Sequence, residues 1–222
     1  MMTERRKPYP LARAVTCDGG SWMTERMADR FLAQFVDGYL IKDIETLVTR
    51  AEPAEGESVG ACGYPLLMTL FAGIELLGAL SSLRKFNDRS GRVYFRSYWE
   101  RYLYPTRPRK NVGKGVYPLA RHGIAHAYLV KGSILVSKRM QDTHLTRTDD
   151  EIRIDVSALA EDFLNSYPRW REAHLARHRN RVERRLREML DDNEKKAKKQ
   201  RAVLRRLPPT PRAGLPPGPP VV

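Results

Sequence analysis

Apolar residues recur three and four positions apart over much of the first two thirds of the chain. Met27, Phe31, Phe35 and Tyr39 run beside Leu32, Val36 and Leu40, and Ile44, Leu47 and Val48 continue the pattern. That period turns one face of a helix toward a core. Ser21 is placed to cap its start, so a helix over about 21–50 is predicted. A Glu-, Gly- and Pro-rich loop follows at 51–63. Tyr64-Pro65 then opens a second helix, with proline suited to a first turn. Its apolar positions (Leu66, Leu67, Leu70, Phe71, Ile74, Leu76, Leu77, Leu80) point in most directions, which predicts a central core helix. Gly73 and Gly78 would let neighbours approach it closely.

A turn at Asn87–Gly91 leads to an aromatic helix predicted over 92–104, carrying Val93, Phe95, Tyr98, Trp99 and Tyr102 and ended by Pro105 and Pro108. Arg107 to Gly115 reads as a basic loop. Tyr117-Pro118 reads as the start of another helix, to about Val130. After Gly132 the texture changes: 133–138, 144–148 and 152–156 are short and rich in β-branched residues, predicting a small hairpin or meander. Ser157 is placed to cap a helix over 158–167 that Pro168 kinks or breaks. A long basic helix is expected over 170–207 with a thin stripe of Leu175, Val182, Leu186 and Met189. The Pro-rich 208–222 reads as a disordered tail. The fold class is therefore mainly α: a helical bundle with a small β hairpin or meander insertion and a long basic C-terminal helix. The expected organisation is an irregular arm at 1–20, one helical domain at 21–167, a basic helix at 168–207 and the tail. Because 168–207 shows few core positions, losing it should leave stability little changed.

Pro65–Leu83 is apolar enough to resemble a membrane span, but Glu75 stands in its middle. A charge at a bilayer centre costs about 2.5–3.5 kcal/mol, so burial in a soluble bundle, with no membrane, is the expectation. Two cysteines at no metal-like spacing exclude a disulfide framework as the organising principle. The charged Met1–Lys7 has no apolar run behind it, so no secretory leader is expected and the chain reads as cytoplasmic.

The net charge of +14 is unevenly placed. Residues 84–121 hold eleven Arg and Lys against two acids, and 168–206 hold fifteen against six. Such asymmetry points to a polyanion, nucleic acid above all; a solvated basic helix face is the bland alternative. Arg107, Arg109, Lys110 and Lys114 are the candidate RNA-binding cations. Tyr117, beside them, is a candidate for stacking on bases, as is Tyr104.

The candidate chemistry is Arg121-His122-Gly123-Ile124-Ala125-His126. An Arg holds phosphate charge and a His moves a proton near neutral pH, which together handle a phosphodiester without metal. The bare spacing is weak evidence, because three Arg-x4-His pairs occur: Arg121/His126, Arg139/His144 and Arg169/His174. Only the first has a polar second residue, His122, and an apolar helical setting. A surface Arg beside a packed His is its structural alternative. His122 and His126 also share a metal-ligand spacing; His144, Glu75 and Asp142 are possible third ligands, but none stands at a telling distance. Arg169/His174 and Arg171/His178 read as a solvated charged face. Gly113-Lys114-Gly115 lacks the remaining parts of a phosphate loop.

Arg, then a polar residue, then His in an all-helical bundle resembles the HEPN superfamily, over roughly residues 22–130. The resemblance implies a metal-independent endoribonuclease of toxin, antiphage or RNA-processing type. It needs no cofactor and acts as a homodimer whose two motifs share a cleft, with an antidote or partner protein in some settings. Carried over, Arg121 polarises the scissile phosphate, His126 is general base or acid for attack by the 2′-hydroxyl, and His122 orients the pair. The β segment and basic tail depart from the family pattern. The alternative function is a non-catalytic basic adaptor for nucleic acid or a protein partner.

Overall fold

The computed structural model describes residues 27–51, 62–118, 134–137 and 143–206. The predicted arm, the cap at Ser21, most of the 51–63 loop, the helix of Arg121–His126 and the Pro-rich tail lie outside these residues.

The chain is mainly helical, as its apolar periods predict. The first helical rod comprises α1 (Met27–Phe31), a π-helical stretch Leu32–Ile41 and α2 (Lys42–Ala51). Leu32, Val36 and Ile44 are fully buried. The wider π turn draws residues four apart toward one line, and Phe31, Phe35 and Tyr39 stand in a ladder with ring centroids 5.2 and 6.0 Å apart.

The central helix, α3 (Gly63–Leu80), packs on α2 and on α4 (Gly91–Tyr98), α6 (Val156–Arg177) and α7 (Arg179–Leu204). It is long and apolar enough to cross a membrane, yet Leu66, Leu67, Leu70, Phe71, Ile74 and Leu77 are fully buried inside the fold. Its two internal glycines are contact points. A Cβ on Gly73 would stand 2.9 Å from Phe163 Cζ, and one on Gly78 would stand 2.0 Å from the Tyr94 carbonyl oxygen. Backbone cannot yield as a flexible side chain does. Gly78→Ala is therefore expected to push α3 and α4 apart and cost roughly 3 kcal/mol. Denaturant unfolding of the variant checks this, and stability within error of wild type would refute it.

Asn87 caps a short 3₁₀ turn, Asp88–Ser90, by accepting from the Arg89 N–H at 2.9 Å. α4 continues into a π turn, Trp99–Leu103. The expected basic loop is instead a helix, α5 (Arg109–Val116). It forms because Val112, Gly113 and Val116 lie against the core. A Cβ on Gly113 would meet Trp99 Cδ1 at 2.5 Å, and one on Gly115 would meet Ile152 Cδ1 at 2.9 Å. The two glycines that resembled a phosphate loop are thus packing surfaces for an indole and a strand.

The β segment also departs from expectation. β1 (Ile134–Ser137) and β2 (Ile152–Asp155) pair in parallel, Ile134 opposite Ile152 and Ser137 opposite Asp155, not as a hairpin. The meander element survives on the other edge of β2, where Arg147 bridges antiparallel to Ile152 around a tight return at Thr148–Glu151. The long connection between the strands permits the parallel arrangement, which a two-residue turn forbids.

Asp155, not Ser157, caps α6: its Oδ1 accepts from the Ala158 N–H at 2.8 Å. The helix runs through Pro168 without a break. Pro168 is exposed, so its ring and the carbonyl it frees at Leu164 are on or near the solvent face, where a helix tolerates proline best. The break comes ten residues later at His178, and α7 folds back along α1 and α3. Hence 168–206 is not an appendage. Trp170 and Val182 are fully buried, Leu186 nearly so. Arg171 pairs with Asp37, Arg179 with Asp29 and Lys196 with Asp88.

Candidate nucleic-acid interface

Among the predicted RNA-binding residues, Arg107, Arg109 and Lys114 are exposed and Lys110 is half-buried. Arg107 and Arg109 stand at the start of α5. Lys110 and Lys114, one turn apart, share its outer face. None of the four is ion-paired among the described residues. The element is fixed from below, as Trp99 Nε1 donates to the Arg109 carbonyl at 3.1 Å and the Arg109 guanidinium sits 5.9 Å from the Tyr104 ring centroid.

The two tyrosines differ from the others. Tyr117 is 8% exposed and packs on Phe95 with centroids 5.0 Å apart. Tyr104 is 5% exposed and lies 4.8 Å from the Trp99 ring. Both belong to the aromatic wall joining Phe71, Phe95 and Trp99. The prediction that they stack on bases is corrected: their faces are spent on the core. Arg121, His122 and His126 lie outside the described residues. α5 stays helical into Tyr117 and Pro118, directly ahead of them.

Two buried polar clusters escaped the sequence reading. In the first, the Tyr104 hydroxyl donates to Asp162 Oδ2 at 2.6 Å and meets His144 Nε2 at 2.9 Å, and His144 Nδ1 accepts from the Asp155 N–H at 3.1 Å. The Nδ1 acceptor role places the proton on Nε2, so the hydrogen bonds run one way, from Asp155 through His144 and Tyr104 to Asp162. Burial holds the His144 pKa below its usual value, against the opposing pull of Asp162. The 3.7 Å approach of His144 to Asp162 is therefore not an ion pair near neutral pH. Both ring nitrogens are engaged, leaving no lone pair for a metal or substrate. The cluster ties α6, β2 and the 143–147 turn to the residue that leads into α5.

The second cluster corrects the solvated-face expectation for Arg169/His174. His174 is 3% exposed, its Nε2 is 2.7 Å from the Tyr102 hydroxyl, and its ring lies 5.0 Å from Trp170 and 5.6 Å from His178. Burial, helped by the electrostatic influence of the neighbouring His178, Arg181 and Arg101, lowers its pKa to about 4. His178 itself is exposed. Arg171 is engaged with Asp37, which also accepts from the Tyr167 hydroxyl at 2.7 Å.

The His174 shift has a pH consequence. The folded state resists a proton that the unfolded chain takes up near its ordinary value. Its contribution to stability is thus complete above about pH 6.5 and lost as pH falls toward about 4. His174→Gln, which keeps a partner for Tyr102, is expected to flatten the fall of melting temperature across that window. An unchanged pH profile would show that the loss has another source.

Among the described residues, no group of three His, Cys, Asp or Glu side chains could hold a metal ion. No known protein family, curated protein or solved structure matches this chain.

Proposed function

We propose that this chain is a metal-independent endoribonuclease that holds RNA on α5 and cuts it at Arg121 and His126. The observation that supports this reading is local. α5 and the residue two before it present Arg107, Arg109 and Lys114 to solvent with no acid paired to them among the described residues, and the sequence leads within a few residues into the Arg-polar-x3-His segment. An anchored, unpaired basic helix suits a phosphodiester backbone, whose charge supplies most of nonspecific affinity. In the proposed reaction the 2′-hydroxyl loses its proton to His126 and attacks the adjacent phosphorus. The bond to the 5′-oxygen of the next nucleotide breaks, and that oxygen leaves with a proton. The products are a 2′,3′-cyclic phosphate and a free 5′-hydroxyl. Arg121 offsets the charge gathered on the phosphate oxygens, and His122 orients the pair. As the HEPN resemblance implies, a second copy supplies the other half of the cleft.

A digest of labelled RNA with and without EDTA tests the reading. Cleavage should persist in EDTA and leave cyclic phosphate ends. Cleavage that requires a divalent metal, or ends bearing 5′-phosphate, would overturn it. RNA binding without any cleavage would leave the non-catalytic basic adaptor in its place.

A further inference from the structure

α7 is anchored over its first half and free over its second. Val182 and Leu186 are buried, whereas from Asp191 onward no described side chain is buried. Lys196 touches the fold through Asp88, and Lys198 is held by Glu194. Lys195, Lys199, Arg205 and Arg206 are exposed and pair with no acid among the described residues. At 3.6 residues per turn, continued through the closing turn at Arg205 and Arg206 just beyond α7, these four fall within an arc of about 120°, centred about 120° around the helix from Lys196. They therefore face away from the contact with the fold, along about 17 Å of helix axis. The positive ends of the last two suit a helix C-terminus, but that does not account for Lys195 and Lys199.

We infer that this outward stripe on the free half of α7 is a phosphate track for single-stranded RNA, separate from α5. The inference rests on the reading of the protein as RNA-binding, though not on its cutting RNA. The stripe's chemistry selects the partner. A membrane-surface helix needs an apolar face opposite its charges, and this half offers only Ala197, Ala202 and Val203 among its described apolar side chains. A protein partner draws its affinity from aromatic and buried anchors, and the stripe has none. A phosphodiester chain needs only a row of unpaired cations on an element that is already ordered, so little conformational entropy is lost when it binds.

The test uses the full chain carrying His126→Ala, so that no cleavage intrudes, and a fluorescent single-stranded RNA titrated at several salt concentrations. Changing Lys195, Lys199, Arg205 and Arg206 together to Gln should reduce the steepness of log affinity against log salt by about 3, at roughly 0.7 per lost phosphate contact. The melting temperature should not change, since these side chains touch nothing in the core. The same substitutions should have no effect on phosphatidylserine vesicles, which the protein should not bind. An unchanged salt slope on RNA would overturn the track, as would vesicle binding that the four substitutions abolish. If the parent chain binds RNA through the stripe but its His126 form never cuts, the nuclease reading fails and the track stands.

Discussion

A chain ending at Tyr167 is expected to lose its cooperative fold. Truncation there removes Trp170 and Val182, both fully buried, together with Leu186 and His174. Losing a buried Trp alone costs about 3–5 kcal/mol, and each buried aliphatic side chain adds about 1.5–3 kcal/mol. Whole domains hold only about 5–15 kcal/mol. Truncation also strips partners that the rest of the fold uses. The Phe86 N–H loses Glu188 Oε2 at 2.7 Å, the Tyr102 hydroxyl loses His174, and Asp37 and Asp29 lose Arg171 and Arg179. Thermal unfolding followed by circular dichroism should show no sharp transition. A chain ending at Asp192 keeps the buried half of α7 and should melt close to wild type. A cooperative transition in the shorter chain would mean that α7 is an appendage after all.

Arg121→Ala and His126→Ala are each expected to abolish measurable RNA cleavage while leaving the thermal transition in place. A positioned general base contributes roughly 10²–10⁴-fold to rate. Removing the cation leaves the charge developing on phosphate unmatched, an effect of comparable size. The two losses should not add when combined, because residues acting as a unit fail together. His122→Ala should cost less, since its assigned part is orientation. RNA affinity at fixed salt should fall modestly for Arg121→Ala and not for His126→Ala, separating binding from chemistry. Cleavage that survives both substitutions would remove the motif from the reaction, leaving α5 as a binding surface only.

Legibility in the sequence followed burial on a single element. The periods of Met27–Val48 and Leu66–Leu80 predicted the first rod and the central helix because each carries its own apolar face. Gly73 and Gly78, read as contact points, are contact points. Pro168 misled for a physical reason. Taken as a break, it hid the fact that Leu159, Phe163, Tyr167, Trp170 and His174 recur at spacings of four and three. Continued through an exposed proline, that stripe would have placed His174 on a buried face. Tyr104 and Tyr117 misled differently. They flank a basic stretch of the sequence, while their neighbours in space are Trp99 and Phe95.

The sequence by itself determined the helical class, the identity of the core helix, the two basic regions and the residues proposed for chemistry. Each of these is written in local order, as a period, a charge count or a short motif. Only the tertiary structure decided that the basic 109–116 segment is a helix seated on Trp99, that β1 and β2 run parallel, and that α7 is half core and half free. It also decided that His144 and His174 are buried, and which carboxylate, hydroxyl or ring each one meets. Those outcomes depend on partners 10 to 150 residues away, and no local period encodes which of several basic helices the core will claim.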